Sequence, residues 1–166
     1  MKYKISDFAL LLIAFILTSF IGMETTTVVF AKPVINANTT YYDVDSGLYM
    51  LKGNVYVGVG DRVITAEQAK VSMSSLEVWA SDGITLTQGN ISLSAYSVHV
   101  YGAQNKALIE GGVTFKQSGI TITADQTEFN WSSKLAVFSG NVQVTKEGRT
   151  WMADSATYNV DTNALQ

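Results

Sequence analysis

Five alanines, Ala37, Ala66, Ala95, Ala124 and Ala153, stand 29 residues apart with no insertion or deletion between them. A gapless internal period constrains a chain severely, because each copy must adopt the same local structure and stack on its neighbour. The flanking residues keep the period. Two positions before the alanines stand Ile35, Ile64, Leu93, Ile122 and Trp151. Five positions after them stand Tyr42, Val71, Val100, Phe129 and Tyr158. Thirteen before the last four stand Gly53, Asp82, Gly111 and Gly140, each followed by Asn or Gly and then by Val55, Ile84, Val113 or Val142. The chain is about four and a half copies of one unit.

Within a unit the apolar residues alternate, which is the strand signature. Ala136, Phe138, Val142 and Val144 share one parity, as do Leu51, Val55 and Val57, then Ala80, Ile84 and Leu86, then Ile109, Val113 and Phe115. The other parity is mostly Thr, Ser, Gln, Lys and Asn, so one face of each strand is expected inside and the other wet. Ala156, Tyr158 and Val160 follow Trp151 and Ala153 after a one-residue change of phase. Turn residues recur at fixed places: Gly60-Asp61, Gly89-Asn90, Ser118-Gly119 and Glu147-Gly148, and again Asp45-Ser46-Gly47, Ser74-Ser75, Gln104-Asn105, Ser132-Ser133 and Asp161-Thr162-Asn163. No helical period appears after Lys32. The expectation is an all-β, repeat-built body of 29-residue units in two facing sheets. A single unit buries too little to hold alone, and stacked units share faces and strand edges.

Only 15% of the residues are charged and the formal charge is −3, which argues against a nucleic-acid partner. The absence of cysteine removes thiolate chemistry and cysteine metal sites. Lys2 and Lys4 precede a 16-residue apolar run, Phe8 to Met23, and Val29-Phe30-Ala31 fits a small-residue cleavage site. A signal peptide over residues 1–31 is expected, with the domain at 32–166. An uncleaved single-span anchor is the alternative, although 16 residues fall short of the ~20 needed to cross a bilayer. Either arrangement places the remainder outside the cytoplasm.

The pattern in Gly140-Asn141-Val142, Gly148, Ala153-Asp154, Ala156 and Tyr158 resembles the OstA-like domain shared by the periplasmic lipopolysaccharide-transport proteins LptA, LptC and the N-terminal part of LptD. The resemblance runs from about Val34 to Gln166. It is best in the C-terminal copy and poorest in the second, where Asp82-Gly83 replaces Gly-Asn and Tyr96 replaces the acidic residue. It implies a twisted β jelly roll, V-shaped in section, with an apolar groove for the acyl chains of lipopolysaccharide (its lipid A part). It also implies end-to-end joining with copies of itself, with an inner-membrane receptor and with an outer-membrane translocon of related fold. It implies a periplasmic location and no cofactor. The periodicity itself shows only an apolar face.

The candidate groove lining is Val55, Val57, Ile64, Ile84, Leu86, Leu93, Val113, Phe115, Ile122, Phe129, Val142, Val144, Trp151 and Tyr158; the same ladder would equally build a dry core. Arg62 and Arg149 share one repeat position, where each could pair with a lipid phosphate or lie solvated at a turn. Glu67, Asp125 and Asp154 share another. They are expected to accept backbone hydrogen bonds where the strand changes phase, rather than to hold a cation. Asp43 to Gly47 reads as a turn rather than a calcium loop. His99 falls on the outward parity with no triad or metal cluster around it, so no catalytic residue and no metal site is assigned. Trp79 and Trp131 read as packing residues. The last copy is unfinished at Gln166, which would leave a strand edge open to another strand.

The reading is a non-enzymatic periplasmic lipopolysaccharide-binding transport or bridge protein. An LptC-like membrane-anchored receptor of the same fold is one alternative. A structural β-solenoid surface protein with a dry interior is the other.

Overall fold

A computed structural model describes residues 34–59 and 62–166, and for Val59 and Arg62 only the backbone. The expected leader or anchor and the turn at Gly60-Asp61 lie outside the described residues. Thirteen strands follow in order: β1 (Val34–Asn36), β2 (Thr39–Asp43), β3 (Leu48–Val59), β4 (Arg62–Ser72), β5 (Glu77–Ser81), β6 (Ile84–Gln88), β7 (Ile91–Ala95), β8 (Ser97–Tyr101), β9 (Lys106–Gln117), β10 (Ile120–Asn130), β11 (Leu135–Lys146), β12 (Arg149–Asn159) and β13 (Ala164–Leu165). One short 3-10 turn, Gly102–Gln104, interrupts them.

The period of 29 has a geometric origin. From Lys106 a twelve-residue strand, a two-residue turn, an eleven-residue strand and a four-residue turn complete one unit, and the next unit begins at Leu135. The strands differ by one residue because each long hairpin carries a bulge. Val142 pairs with Ala153 and Ser139 with Ser155, so the stretch from Ser139 to Val142 on β11 is one residue longer than the stretch it faces. This bulge is the change of phase seen in the sequence. Successive left-handed residues make it: Gly53-Asn54, Asp82-Gly83, Gly111-Gly112 and Gly140-Asn141 all have positive φ. Glycine and asparagine tolerate that conformation, which is why the repeat writes them there.

The turns obey the same logic. Ser118-Gly119 and Glu147-Gly148 have positive φ at both residues, the form that suits a two-residue hairpin. The four-residue turns each end on a left-handed residue, Gly47, Leu76, Asn105, Lys134 or Asn163. Asn130 Oδ1 accepts from the N–H groups of Ser132 and Ser133, and Asn159 Oδ1 from those of Asp161 and Thr162. Asp43 begins the equivalent turn and accepts from the Ser46 hydroxyl at 2.6 Å, so the Asp43–Gly47 segment is such a turn.

All pairings are antiparallel within one hydrogen-bonded sheet. The two facing sheets expected from the sequence are two halves of one branched sheet. Each long strand bends at its bulge and contributes to two half-sheets. The first half-sheet holds β2, the near half of β3, the far half of β4, β5, β8, and alternating halves of β9 to β12 with β13. The second holds β1, the far half of β3, the near half of β4, β6, β7 and the remaining halves. In the poorest-matching copies the strand does not merely bend. It breaks, at Asp82-Gly83 between β5 and β6 and at Tyr96 between β7 and β8.

The half-sheets face each other across one apolar core. Phe115 of the second lies 5.7 Å from Phe138 and 5.3 Å from Tyr158 of the first, ring centroid to ring centroid. The bulges form the closed edge of this wedge. The turns form its rim.

Candidate functional site

A cavity of about 70 Å³ lies between the half-sheets. Ile84, Leu86, Leu93 and Phe115 come from one side and Val100, Ile109, Phe129 and Phe138 from the other. Ile64, Leu86, Ile91, Val98 and Val160 line it while only partly buried, so the cavity reaches towards the surface. Gln88 and Thr127 are its polar lining residues. At the rim, Gln117 of the second half-sheet donates from Nε2 to the Val160 carbonyl, beyond β12 of the first, at 3.0 Å. Two buried side-chain oxygens, Gln117 Oε1 and Thr127 Oγ1, have no partner among the described residues.

The structure distributes the expected lining unevenly. Ile64, Ile84, Leu86, Leu93, Phe115 and Phe129 line the cavity. Val55, Val57, Val113, Ile122, Val142 and Val144 are buried in the same core without lining it, and Tyr158 is buried beneath Phe115. Trp151 does not reach the cavity. It shares a face with its cross-strand partner Val144, yet is 40% exposed, because β13 covers β12 only at Tyr158 and Asn159. Among the described residues nothing pairs with the near half of β12, and Met152 is 64% exposed on its other face. At the opposite end, β1 pairs with β3 through one edge.

The lining also includes Ile91, Val98, Val100, Ile109, Ala136, Phe138 and Val160. Val100 is legible as a repeat position, Val160 from the alternation after the change of phase, and Ile109, Ala136 and Phe138 as inward parity. Nothing in the pattern says which inward residues border a void, since that depends on how the two half-sheets approach.

Arg149 is exposed at the end of β12, opposite Lys146 on β11, at the rim. Neither forms an ion pair among the described residues. The side chain of Arg62 lies outside the description.

The acidic repeat position sits at the bulges. The expected backbone donor is found at Glu67, whose Oε2 accepts from the Asn54 N–H at 3.4 Å, but Asp125 Oδ2 instead accepts from the Asn141 side chain at 2.8 Å, because the asparagine amide at the bulge reaches it. A Cβ on Gly140 would stand 2.5 Å from Asp125 Oδ2, so this position also needs glycine for space. Tyr96, in the copy without an acid, donates to Asp82 Oδ1 at 2.6 Å. That bond, and then the Asp82 charge, raise the Tyr96 hydroxyl above its ordinary pKa. Burial raises Tyr158 as well.

On the outer face of the first half-sheet, His99 Nε2 meets Glu77 Oε2 at 2.8 Å, between the rings of Trp79 and Tyr101. Trp131 is buried, its indole N–H donating to Asn105 Oδ1. A cleft between two apolar sheets, with few polar atoms inside, is equipped to bind apolar chains.

Two comparisons agree with this geometry. Residues 121–165 match the family model described as LptA/(LptD N-terminal domain) LPS transport protein. The chain also resembles the crystal structure of LptH, described as the LptA homologous periplasmic component of the conserved lipopolysaccharide transport device from Pseudomonas aeruginosa. The TM-score is 0.52 at 13% identity, over 73% of this chain and 93% of LptH. No curated protein matches the sequence.

Proposed function

Starting from an OstA-like domain of the lipopolysaccharide-transport kind, we propose that this chain is a non-enzymatic periplasmic carrier of lipopolysaccharide. Its acyl chains would lie between the half-sheets, and its open edges would join it to related domains. The observation that carries this reading is the wedge itself: two apolar half-sheets joined along one edge, with a cavity between them. The cavity of about 70 Å³ is well below the ~300–1,000 Å³ of ordinary ligand pockets. Lipid entry therefore requires the half-sheets to part at the rim, where the Gln117–Val160 bond spans them. Lys146 and Arg149 stand at that rim, placed to meet a phosphate while the chains go inside.

The near half of β12 and the outer edge of β1, both unpaired among the described residues, belong to the second half-sheet. Strand addition between them would continue that half-sheet, and its apolar face, from one domain into the next.

The second reading, a structural β-body with a dry interior, is favoured by the close burial of Val113, Ile122, Val142 and Val144. A photocrosslinker at Leu86, Phe115 and Val142, with Thr114 and Gln143 as outward controls, separates the two in cells that make the lipid. Lipopolysaccharide adducts at the inward sites alone are expected for the carrier. Their absence from a folded protein establishes the dry body.

A further inference from the structure

Thr127 stands at a repeat position that is apolar in three of the other copies and is threonine again only at the exposed Thr40 of the first. The equivalent residues of the other inward copies are Ala69, Val98 and Ala156. Thr127 pairs with Ile109 and Phe138, lines the cavity and is 1% exposed. Its hydroxyl has no partner among the described residues. The strand itself does not need this oxygen, because valine has the same branching and nearly the same shape. A buried hydroxyl without a partner is costly to keep, so its presence in an otherwise aliphatic wall asks for a ligand atom.

We propose that Thr127 is a specificity-determining residue that hydrogen-bonds the hydroxyl group of a hydroxylated acyl chain lying in the cavity. The proposal rests on the carrier reading above and adds to it the chemistry of the chain. A threonine hydroxyl both donates and accepts, so it suits an alcohol, which does the same. A site whose polar atom is buried discriminates strongly against the analogue that leaves that atom unpaired. The aliphatic walls, Leu86, Leu93, Ile109 and Phe138 among them, would take the methylenes on either side.

The test is competition for a fluorescent fatty-acid probe on the purified full chain. The competitors are tetradecanoate and a positional series of monohydroxytetradecanoates. At least one hydroxylated isomer should compete about five-fold better than the plain chain, the factor one neutral hydrogen bond supplies. Thr127→Val should bring that ratio to about one, and Thr127→Ser should keep it. Thermal melting checks that both variants are folded. Equal competition by all chains against the parent protein, as when water alone serves the hydroxyl, overturns the proposal and leaves the carrier reading standing. A preference that survives Thr127→Val also overturns it. Failure of every chain, plain or hydroxylated, to bind overturns the carrier reading and this proposal with it.

Discussion

Single residues carry the bends on which the wedge depends, and their substitution should separate strain from packing. Gly111 and Gly112 are adjacent and both left-handed, with φ of 86° and 73°. A Cβ on Gly112 would meet nothing within 4 Å, whereas one on Gly111 would stand 2.5 Å from the Tyr96 Cβ. Gly112→Ala should therefore cost only the left-handed penalty of about 1–2 kcal/mol, and Gly111→Ala distinctly more. Urea denaturation of the two variants measures the difference; equal losses would mean that Tyr96 yields freely. The reverse change applies at Lys134, a non-glycine residue at φ 62° that closes a four-residue turn. Lys134→Gly should gain up to about 1 kcal/mol, set against the greater freedom glycine gives the unfolded chain. Tyr158 gives a pH signature. Its folded pKa is raised by burial, so its contribution is complete below the ordinary tyrosine value of about 10 and is lost as pH rises through the higher folded value. The parent should lose more stability than Tyr158→Phe as pH rises above about 10, the ordinary tyrosine value. The glycine positions were legible in the sequence because the repeat preserved them. The orphan hydroxyl of Thr127 was not, since a threonine in a strand is ordinary until its neighbours are known.

At the scale of the element, the hairpins follow the sequence closely. Turn residues, alternation and the change of phase map onto two-residue turns, strand faces and bulges, because all three are local consequences of backbone conformation. What the alternation could not convey is that one strand serves two half-sheets, which is a matter of pairing partners distant in sequence. Trp151 illustrates the limit. Its parity places it on the inner face, but its exposure depends on which strand lies beside β12, and among the described residues β13 pairs only with Tyr158 and Asn159. The open half of β12 is an interaction element in this account. Trp151→Glu with Met152→Glu should leave the melting temperature nearly unchanged, as both side chains are exposed, and should shift sedimentation from oligomers towards the monomer. An unchanged oligomer distribution would place the contact elsewhere.

On the carrier reading proposed above, the whole molecule is a wedge that has to open. Its closed edge is held by the bulges, with Asp125 on Asn141 and Tyr96 on Asp82, while its rim carries turns and the Gln117–Val160 bond. Opening at the rim disturbs no strand pairing, because the pairings run within each half-sheet and through the bent strands. The measurement that tests this most directly is lipid capture with the rim tethered. Gln117→Cys and Val160→Cys, joined by a short bifunctional maleimide, would hold the half-sheets together. The account predicts that the tethered protein loses lipopolysaccharide adducts at Phe115, while the same double variant without the tether keeps them. Adducts of equal yield with the rim closed would contradict it, and would show that lipid reaches the interior by another route.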